Sequence, residues 1–168
     1  MLSLKYYKYK ERIDGLLGYT YIEAEHNDVL RQISKFDNKI ISSNMKDEKF
    51  HFCLCDQEID LSNEAYIPIT QEAFDLIWLE NINKNKLKWK NIKDKYKIGE
   101  MINGSIEVFY PQGVIISIND DTIGITDYNE CKESHFEGVL SSGRMVRSTV
   151  TGYDETNLWV VLGNTKIL

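Results

Sequence analysis

The sequence predicts an α+β protein in two parts. An antiparallel meander ending in one long helix is expected over residues 1–96, and a five-stranded β-barrel is expected over residues 97–168. Three observations predict this division: short alternating runs between turn residues near the N-terminus, a helical stripe over residues 70–96, and a later series of β-branched runs punctuated by glycine. A chain of 168 residues is long enough for one large domain or two small ones.

The first strands are predicted from alternation. Leu4 to Lys10 alternates lysine and tyrosine, Tyr19 to Glu25 alternates after a glycine-containing turn, and Val29–Ser34 with Lys39–Ser42 forms a hairpin. Mixed lysine and tyrosine suits either a stacking surface for single-stranded nucleic acid or an edge strand on which lysine blocks pairing. We favour the edge strand.

Residues Phe50 to Cys55 are predicted to form a further strand and contain the one pattern that suggests a metal. His51, Cys53 and Cys55 would share a face of that strand. An extended C-x-C pattern holds its sulfurs too far apart for the usual zinc geometry, which is built on a turn. We therefore predict two reduced, buried thiols and neither a metal nor a cofactor.

One long helix is predicted over residues 70–96, with Thr70 as its cap. Its apolar stripe contains Trp78 and Trp89, so both indoles should be buried, and Asn85 interrupts the stripe between them. The second half carries a lysine-rich face. Such a face is usually only solvated, but it offers a candidate basic surface formed by Lys84, Lys88, Lys90 and Lys95.

The C-terminal part is organised around glycines. Gly104 opens an alternating strand and Gly113 opens the β-branched run Val114 to Ile118, a pattern that indicates the corner of a small closed barrel. The polar turn Asn119 to Thr122 links that run to the next strand. Two further strands follow a long connection, and this layout is typical of an oligonucleotide/oligosaccharide-binding (OB) fold.

The barrel residues resemble the S-one RNA-binding domain, the repeat of the largest protein of the small ribosomal subunit. The similarity covers roughly residues 97–163. It rests on the glycine spacing and strand pattern of the following residues: Gly99, Gly104, Ile106, Phe109, Gly113, Val114, Ile115, Ile116, Ile118, Gly124, Ile125, Gly143, Val146, Val150, Tyr153 and Asp154. The resemblance implies a binding function on one face of the barrel.

This chain departs from the S-one pattern at the positions that meet RNA. Gln112 and Ile115 stand where the family carries aromatic residues, and Asp127 stands where it carries a histidine. Because stacking is worth about 1–3 kcal/mol per base, these changes predict weak RNA binding. Tyr110 offers an aromatic ring in an offset register. The candidates for the binding face are Phe109, Tyr110, Gln112, Ile115, Asp127, Arg144 and Arg147.

Charge favours a protein partner over RNA. Residues 97–168 contain five basic and ten acidic residues, whereas nucleic-acid modules normally carry a basic footprint. We therefore predict a non-catalytic protein-binding module of the immunity or adaptor type. The alternative is a protein that binds RNA or single-stranded nucleic acid through the barrel.

Other function classes find less support. The sequence contains no common enzyme motif and no sign of a small-molecule substrate, so we expect no catalysis. It contains no apolar run near the ~20 residues of a membrane span and no apolar leader. Three cysteines do not indicate a disulfide framework, so we expect a cytoplasmic location.

Overall fold

The computed structural model describes residues 3–119, 122–133 and 138–168. It is a mixed α+β structure with two compact units, Met1–Lys84 and Asn85–Leu168, called here the sheet unit and the barrel unit. Asp120 and Asp121, at the centre of the polar turn expected between two barrel strands, lie outside the described residues. Within the described ranges, no helix is long and apolar enough to cross a membrane.

The sheet unit confirms the predicted antiparallel meander. Its five strands follow the spatial order β4-β3-β2-β1-β5. Their bounds are β1 Leu4–Ile13, β2 Leu16–Glu25, β3 Asp28–Phe36, β4 Lys39–Ser42 and β5 Ile67–Pro68. Asp14 and Gly15 both have positive φ at the β1–β2 turn, the conformation that lets a two-residue hairpin follow the twist of its strands.

Both faces of this sheet are covered. On one face, helix α1, Gln71–Lys84, buries Phe74 and Trp78 against Tyr6 and Ile33. On the other face, apolar side chains from the segment between β4 and β5 pack over Ile22, Ala24 and Val29. The sheet therefore has two apolar faces, because successive residues of each strand point to opposite faces.

The prediction of a strand over Phe50–Cys55 is wrong. Asp47 closes a tight turn instead, because its Oδ1 accepts the backbone N–H groups of Lys49 and Phe50 at 2.8 and 2.9 Å. His51 follows with φ 55° and forms only an isolated bridge to Asp47. Cys53 and Cys55 are free thiols, but each is half-buried and not part of a core strand.

The single long helix of the prediction is divided in two. Helix α1 ends at Lys84, and helix α2 covers Lys86–Lys95. The break is at Asn85, whose ψ of 7° lies outside the helical range, although its carbonyl still accepts the Trp89 N–H at 2.9 Å. An amide side chain at an apolar stripe position favours such a break, because Asn is a poor residue for a helix interior. The predicted Thr70 cap is present, since its Oγ1 accepts the Ala73 N–H at 3.1 Å.

The barrel unit contains a closed barrel of five strands in the order β10-β8-β7-β6-β9. The strands are β6 Met101–Tyr110, β7 Gly113–Asn119, β8 Thr122–Thr126, β9 Met145–Asp154 and β10 Trp159–Ile167. Strands β8 and β10 pair in parallel, and the other pairs are antiparallel. A short helix, α3 Tyr128–Glu133, follows β8.

Glycine permits the close strand approaches that the sequence indicates. A Cβ on Gly104 would lie 2.6 Å from Ile116 Cγ2 and 2.7 Å from the Ser117 carbonyl oxygen. At Gly113, φ is 152° and a Cβ would lie 2.6 Å from the Thr126 carbonyl oxygen. Only glycine fits these positions without displacing a neighbouring strand.

Helix α2 is held to the end of the barrel by Trp89. This side chain is only 4% exposed, packs edge-on against Tyr153 at 6.0 Å, and donates its Nε1–H to the Glu155 carboxylate at 2.6 Å. Lys93 binds the other Glu155 oxygen at 2.7 Å. Although partial burial raises the pKa of Glu155, the hydrogen bonds from Lys93 and Trp89 lower it overall. The burial predicted for Trp78 and Trp89 is confirmed.

Candidate functional site: a cavity between the β6–β7 turn and helix α3

A cavity of about 360 Å³ lies at the end of the barrel where β6 turns into β7 and β8 leads into α3. Register explains why these segments meet. Gly113 pairs with Tyr110 across the turn, and Val114 pairs with Thr126 of β8. The residue before β7 and the residues after β8 are therefore neighbours in space, although the sequence separates Gln112 from Asp127 by a whole hairpin.

Two exposed aromatic rings line this cavity. Phe109, near the end of β6, is 40% exposed, and Tyr128, the first residue of α3, is 49% exposed. Their ring centroids are 6.3 Å apart and their planes are inclined at 77°, so the rings form two sides of a corner. Tyr110 also lines the cavity, but it is largely buried and packs on Trp159 with centroids 6.1 Å apart.

The polar part of the lining is acidic or neutral. Asp127 is exposed, and its Oδ1 accepts the backbone N–H of Asn129 at 2.6 Å, which fixes the carboxylate at the start of α3. The side chains of Gln112 and Asn129 add amide groups. No lysine, arginine or histidine is among the described residues that line the cavity.

Helix α3 is linked to the barrel at Thr165 of β10, whose hydroxyl also belongs to a buried network. The Thr165 hydroxyl lies 2.6 Å from that of Thr126 and 2.7 Å from that of Ser148. The backbone N–H of Thr165 donates to Glu130 Oε2 at 3.0 Å. Burial, followed by nearby carboxylates, raises the pKa of the Cys131 thiol on this helix to about 11, so the thiol is neutral near pH 7. The cavity wall formed by α3 is thus anchored to strand β10.

The structure brings four of the seven predicted barrel candidates together. Phe109, Tyr110, Gln112 and Asp127 all line the cavity. Ile115 does not reach the surface, because its side chain is fully buried in β7.

The two arginine candidates lie elsewhere. Arg147 is exposed on β9, and its Nε donates to Asn103 Oδ1 of β6 at 3.2 Å. Arg144 precedes β9, and its carbonyl oxygen accepts the Ile106 N–H at 2.9 Å. Neither residue lines the cavity.

The candidate basic surface is divided by the break at Asn85. Lys84 ends α1 in the sheet unit and lies 3.5 Å from Glu80 Oε1. Lys88, Lys90 and Lys95 are exposed on α2 in the barrel unit, with the Lys95 ammonium 5.1 Å from the Tyr96 ring centroid.

Sequence reasoning misses Tyr128 and Asn129. The stretch from Asp127 onward lacks alternation, so the sequence predicts only a long connection there. One signal is present: Asp127 is a good N-cap residue, and a cap at this position places the following tyrosine at the start of a helix, beside the preceding strand.

Comparison with models of known protein families gives no match to this chain, and no curated protein matches it either.

Proposed function

We propose that the chain is a non-catalytic binding protein of the immunity or adaptor type, and that its barrel is an S-one-like OB-fold that contacts another protein. Three features support the OB-fold assignment. They are the closed five-strand order, the parallel pair β8–β10, and the helix between the third and fourth barrel strands.

The observation that carries the protein-binding proposal is the cavity itself. Exposed Phe109 and Tyr128 form an apolar corner beside the carboxylate of Asp127. Aromatic side chains are enriched at protein interfaces, where a small number of buried rings supply much of the binding energy. These two rings are neighbours and line one cavity, and grouped exposed apolar side chains mark interaction sites more often than scattered single ones do.

Binding of single-stranded nucleic acid is the second candidate, and one observation favours it. Phe109 and Tyr128 are exposed rings of the kind on which bases stack. The charge opposes it, because phosphate contacts normally supply most of the affinity and the described lining offers a carboxylate with no basic residue. Protein binding therefore has the stronger support.

A capture experiment with matched variants tests the proposal. The immobilised chain is cross-linked in extract from its source, and the captured proteins are compared with those of the double variant Phe109→Ser/Tyr128→Ser. Arg147→Gln serves as the control, because Arg147 is exposed on the same barrel but away from the cavity. We expect one captured protein whose amount follows the amount of immobilised chain for the parent and the control. The double variant should not capture it.

A binding measurement with RNA tests the nucleic-acid alternative. Fluorescence anisotropy with labelled single-stranded RNA at 50 and 200 mM salt should show no binding tighter than about micromolar, because the charge needed for phosphate contacts is missing. Micromolar or tighter binding that weakens steeply with salt and is lost in the Phe109→Ser/Tyr128→Ser variant would replace the protein-binding proposal with the nucleic-acid one.

A further inference from the structure

We propose that the cavity holds the basic side chain, lysine or arginine, of the protein partner. This inference rests on the proposed protein-binding function and names the chemistry of the group recognised. Three observations carry it: the two neighbouring exposed rings, the Asp127 carboxylate in the same lining, and a cluster in the sheet unit in which two rings and a carboxylate surround a cation.

Two exposed rings line the cavity. Phe109 and Tyr128 are in an edge-to-face arrangement, with planes inclined at 77° and centroids 6.3 Å apart, so one bound group can contact both rings. The face of an aromatic ring carries negative potential and attracts a cation within about 6 Å of the ring centroid. The cavity volume, about 360 Å³, leaves ample room for the end of one long side chain.

The polar groups of the lining also favour a cation. Asp127 lies in the same lining, and its Oδ1 is fixed by the Asn129 N–H at 2.6 Å. Gln112 and Asn129 supply amide oxygens that can accept from an ammonium or a guanidinium. No basic residue is among the described lining residues that could pair with this carboxylate. Charge complementarity therefore favours a cation.

The sheet unit contains an internal precedent. The Arg31 guanidinium lies 4.8 Å from the Phe74 ring centroid and 5.0 Å from that of Trp78. Its Nε and Nη2 donate to the two Glu23 carboxylate oxygens at 2.8 and 2.5 Å. Two aromatic rings and a carboxylate thus surround a cation inside this chain. The cavity of the barrel unit also has two rings and a carboxylate, although its rings are inclined at 77° and the Phe74 and Trp78 rings are stacked at 17°. The precedent is therefore one of side-chain composition.

Short peptides test the chemistry directly. Acetyl-Gly-Lys-Gly-amide and acetyl-Gly-Arg-Gly-amide are titrated into the full ¹⁵N-labelled chain and followed by amide chemical shifts. Acetyl-Gly-norleucine-Gly-amide is the neutral control of matched length. We expect shifts centred on residues 109–113 and 127–129 for both basic peptides, with the norleucine peptide at least about fivefold weaker, the ratio that one cation–ring contact provides.

Variants then separate the two attractions. Phe109→Leu should weaken the basic peptides about two- to fivefold through the lost ring face. Asp127→Asn removes the charge but keeps a capping side chain, and should also weaken them, with an effect that shrinks in added salt. Arg147→Gln should bind as the parent does. Equal binding of the norleucine and lysine peptides would overturn the proposal, as would unchanged binding in both cavity variants.

The result also separates this inference from the proposed function. One outcome is that neither basic peptide shifts the cavity amides at about 20 mM, a concentration that detects millimolar dissociation constants, while the capture experiment still yields a partner that needs Phe109 and Tyr128. The cation inference then fails and protein binding stands. If the basic peptides bind but single-stranded RNA binds the same amides more tightly, both proposals are overturned.

Discussion

Two clusters of aromatic and charged side chains, one in each unit, differ in burial. In the sheet unit, the Arg31 and Glu23 side chains are only 11% and 8% exposed, and the Arg31 guanidinium packs against Phe74 and Trp78. The barrel unit fills its interior largely with β-branched residues and leaves Phe109, Tyr128 and Asp127 at the surface. Substitutions in the buried cluster should therefore change the free energy of unfolding, whereas substitutions in the exposed cluster should change it little.

The largest expected effect tests the buried cluster. Arg31→Met removes the cation and leaves the Glu23 carboxylate buried without its partner, so unfolding of the sheet unit should become about 3–5 kcal/mol more favourable. The measurement is urea unfolding followed by amide hydrogen exchange in peptides from β2 and β3.

A double variant sharpens this prediction. Glu23→Leu with Arg31→Met replaces the whole pair by apolar side chains and should recover much of the loss. Lys35→Met is the control, because the exposed Lys35–Glu80 pair, at 2.8 Å, lies between the same sheet and helix. If Arg31→Met costs no more than Lys35→Met, the buried cluster does not stabilise the sheet unit.

The strands and the barrel are predictable because their signals are local. Alternation marks the hairpin of β3 and β4, and the positions of Gly104 and Gly113 in the sequence indicate close strand approaches. The connection from β4 to β5 is not predictable. Phe50–Cys55 has the composition of a strand, but Asp47 forms a turn there, and Cys55 donates its backbone N–H to Gln32 Oε1 at 2.9 Å instead of to a neighbouring strand.

The candidate site can be predicted from the sequence only in part, because side-chain exposure depends on contacts between distant segments. Phe109, Gln112 and Asp127 are all found through the S-one resemblance. Whether a side chain is exposed depends on packing across the barrel, which no local pattern reports. Ile115 is fully buried for this reason, and Tyr128 enters the site only because β8 pairs with β7 and places α3 beside the turn.

The next largest expected effect is the loss of stability on adding a side chain at Gly104. Gly104→Ala would place a Cβ 2.6 Å from Ile116 Cγ2 and 2.7 Å from the Ser117 carbonyl oxygen, so β6 and β7 must separate. We expect a loss of about 1–3 kcal/mol, typical of overpacking, seen as faster hydrogen exchange in β6 and β7. Gly152→Ala is the control, since its Cβ would lie 4.0 Å from the nearest atom, Val161 Cβ. The expectation fails if the two variants are equally stable.

A smaller effect concerns pH and the buried cluster. Burial, and then the Glu23 carboxylate, raise the pKa of Tyr6 to about 12 from an ordinary value of 10.0. A raised pKa on a group that is neutral when protonated stabilises the fold fully below about pH 10, and this contribution is lost as the pH rises from about 10 to about 12. Tyr6→Phe should therefore lose less stability than the parent over this interval. Urea unfolding at about pH 9, 10 and 11 measures the difference, and parallel curves for the two proteins would contradict it.

The smallest expected effect is the most informative about the site. Phe109→Leu and Tyr128→Leu each replace a ring that is already 40% or 49% exposed, so each should change the free energy of unfolding by no more than about 0.5 kcal/mol. Phe74→Leu, in the buried cluster of the sheet unit, is the matched control and should cost several times more, because Phe74 is fully buried. Thermal unfolding with hydrogen exchange resolves the two units. If Phe109→Leu destabilises the barrel as Phe74→Leu destabilises the sheet, the exposed rings serve the fold. If it leaves stability unchanged but abolishes partner capture, the rings at this position serve binding, and the cavity is the surface on which the partner is recognised.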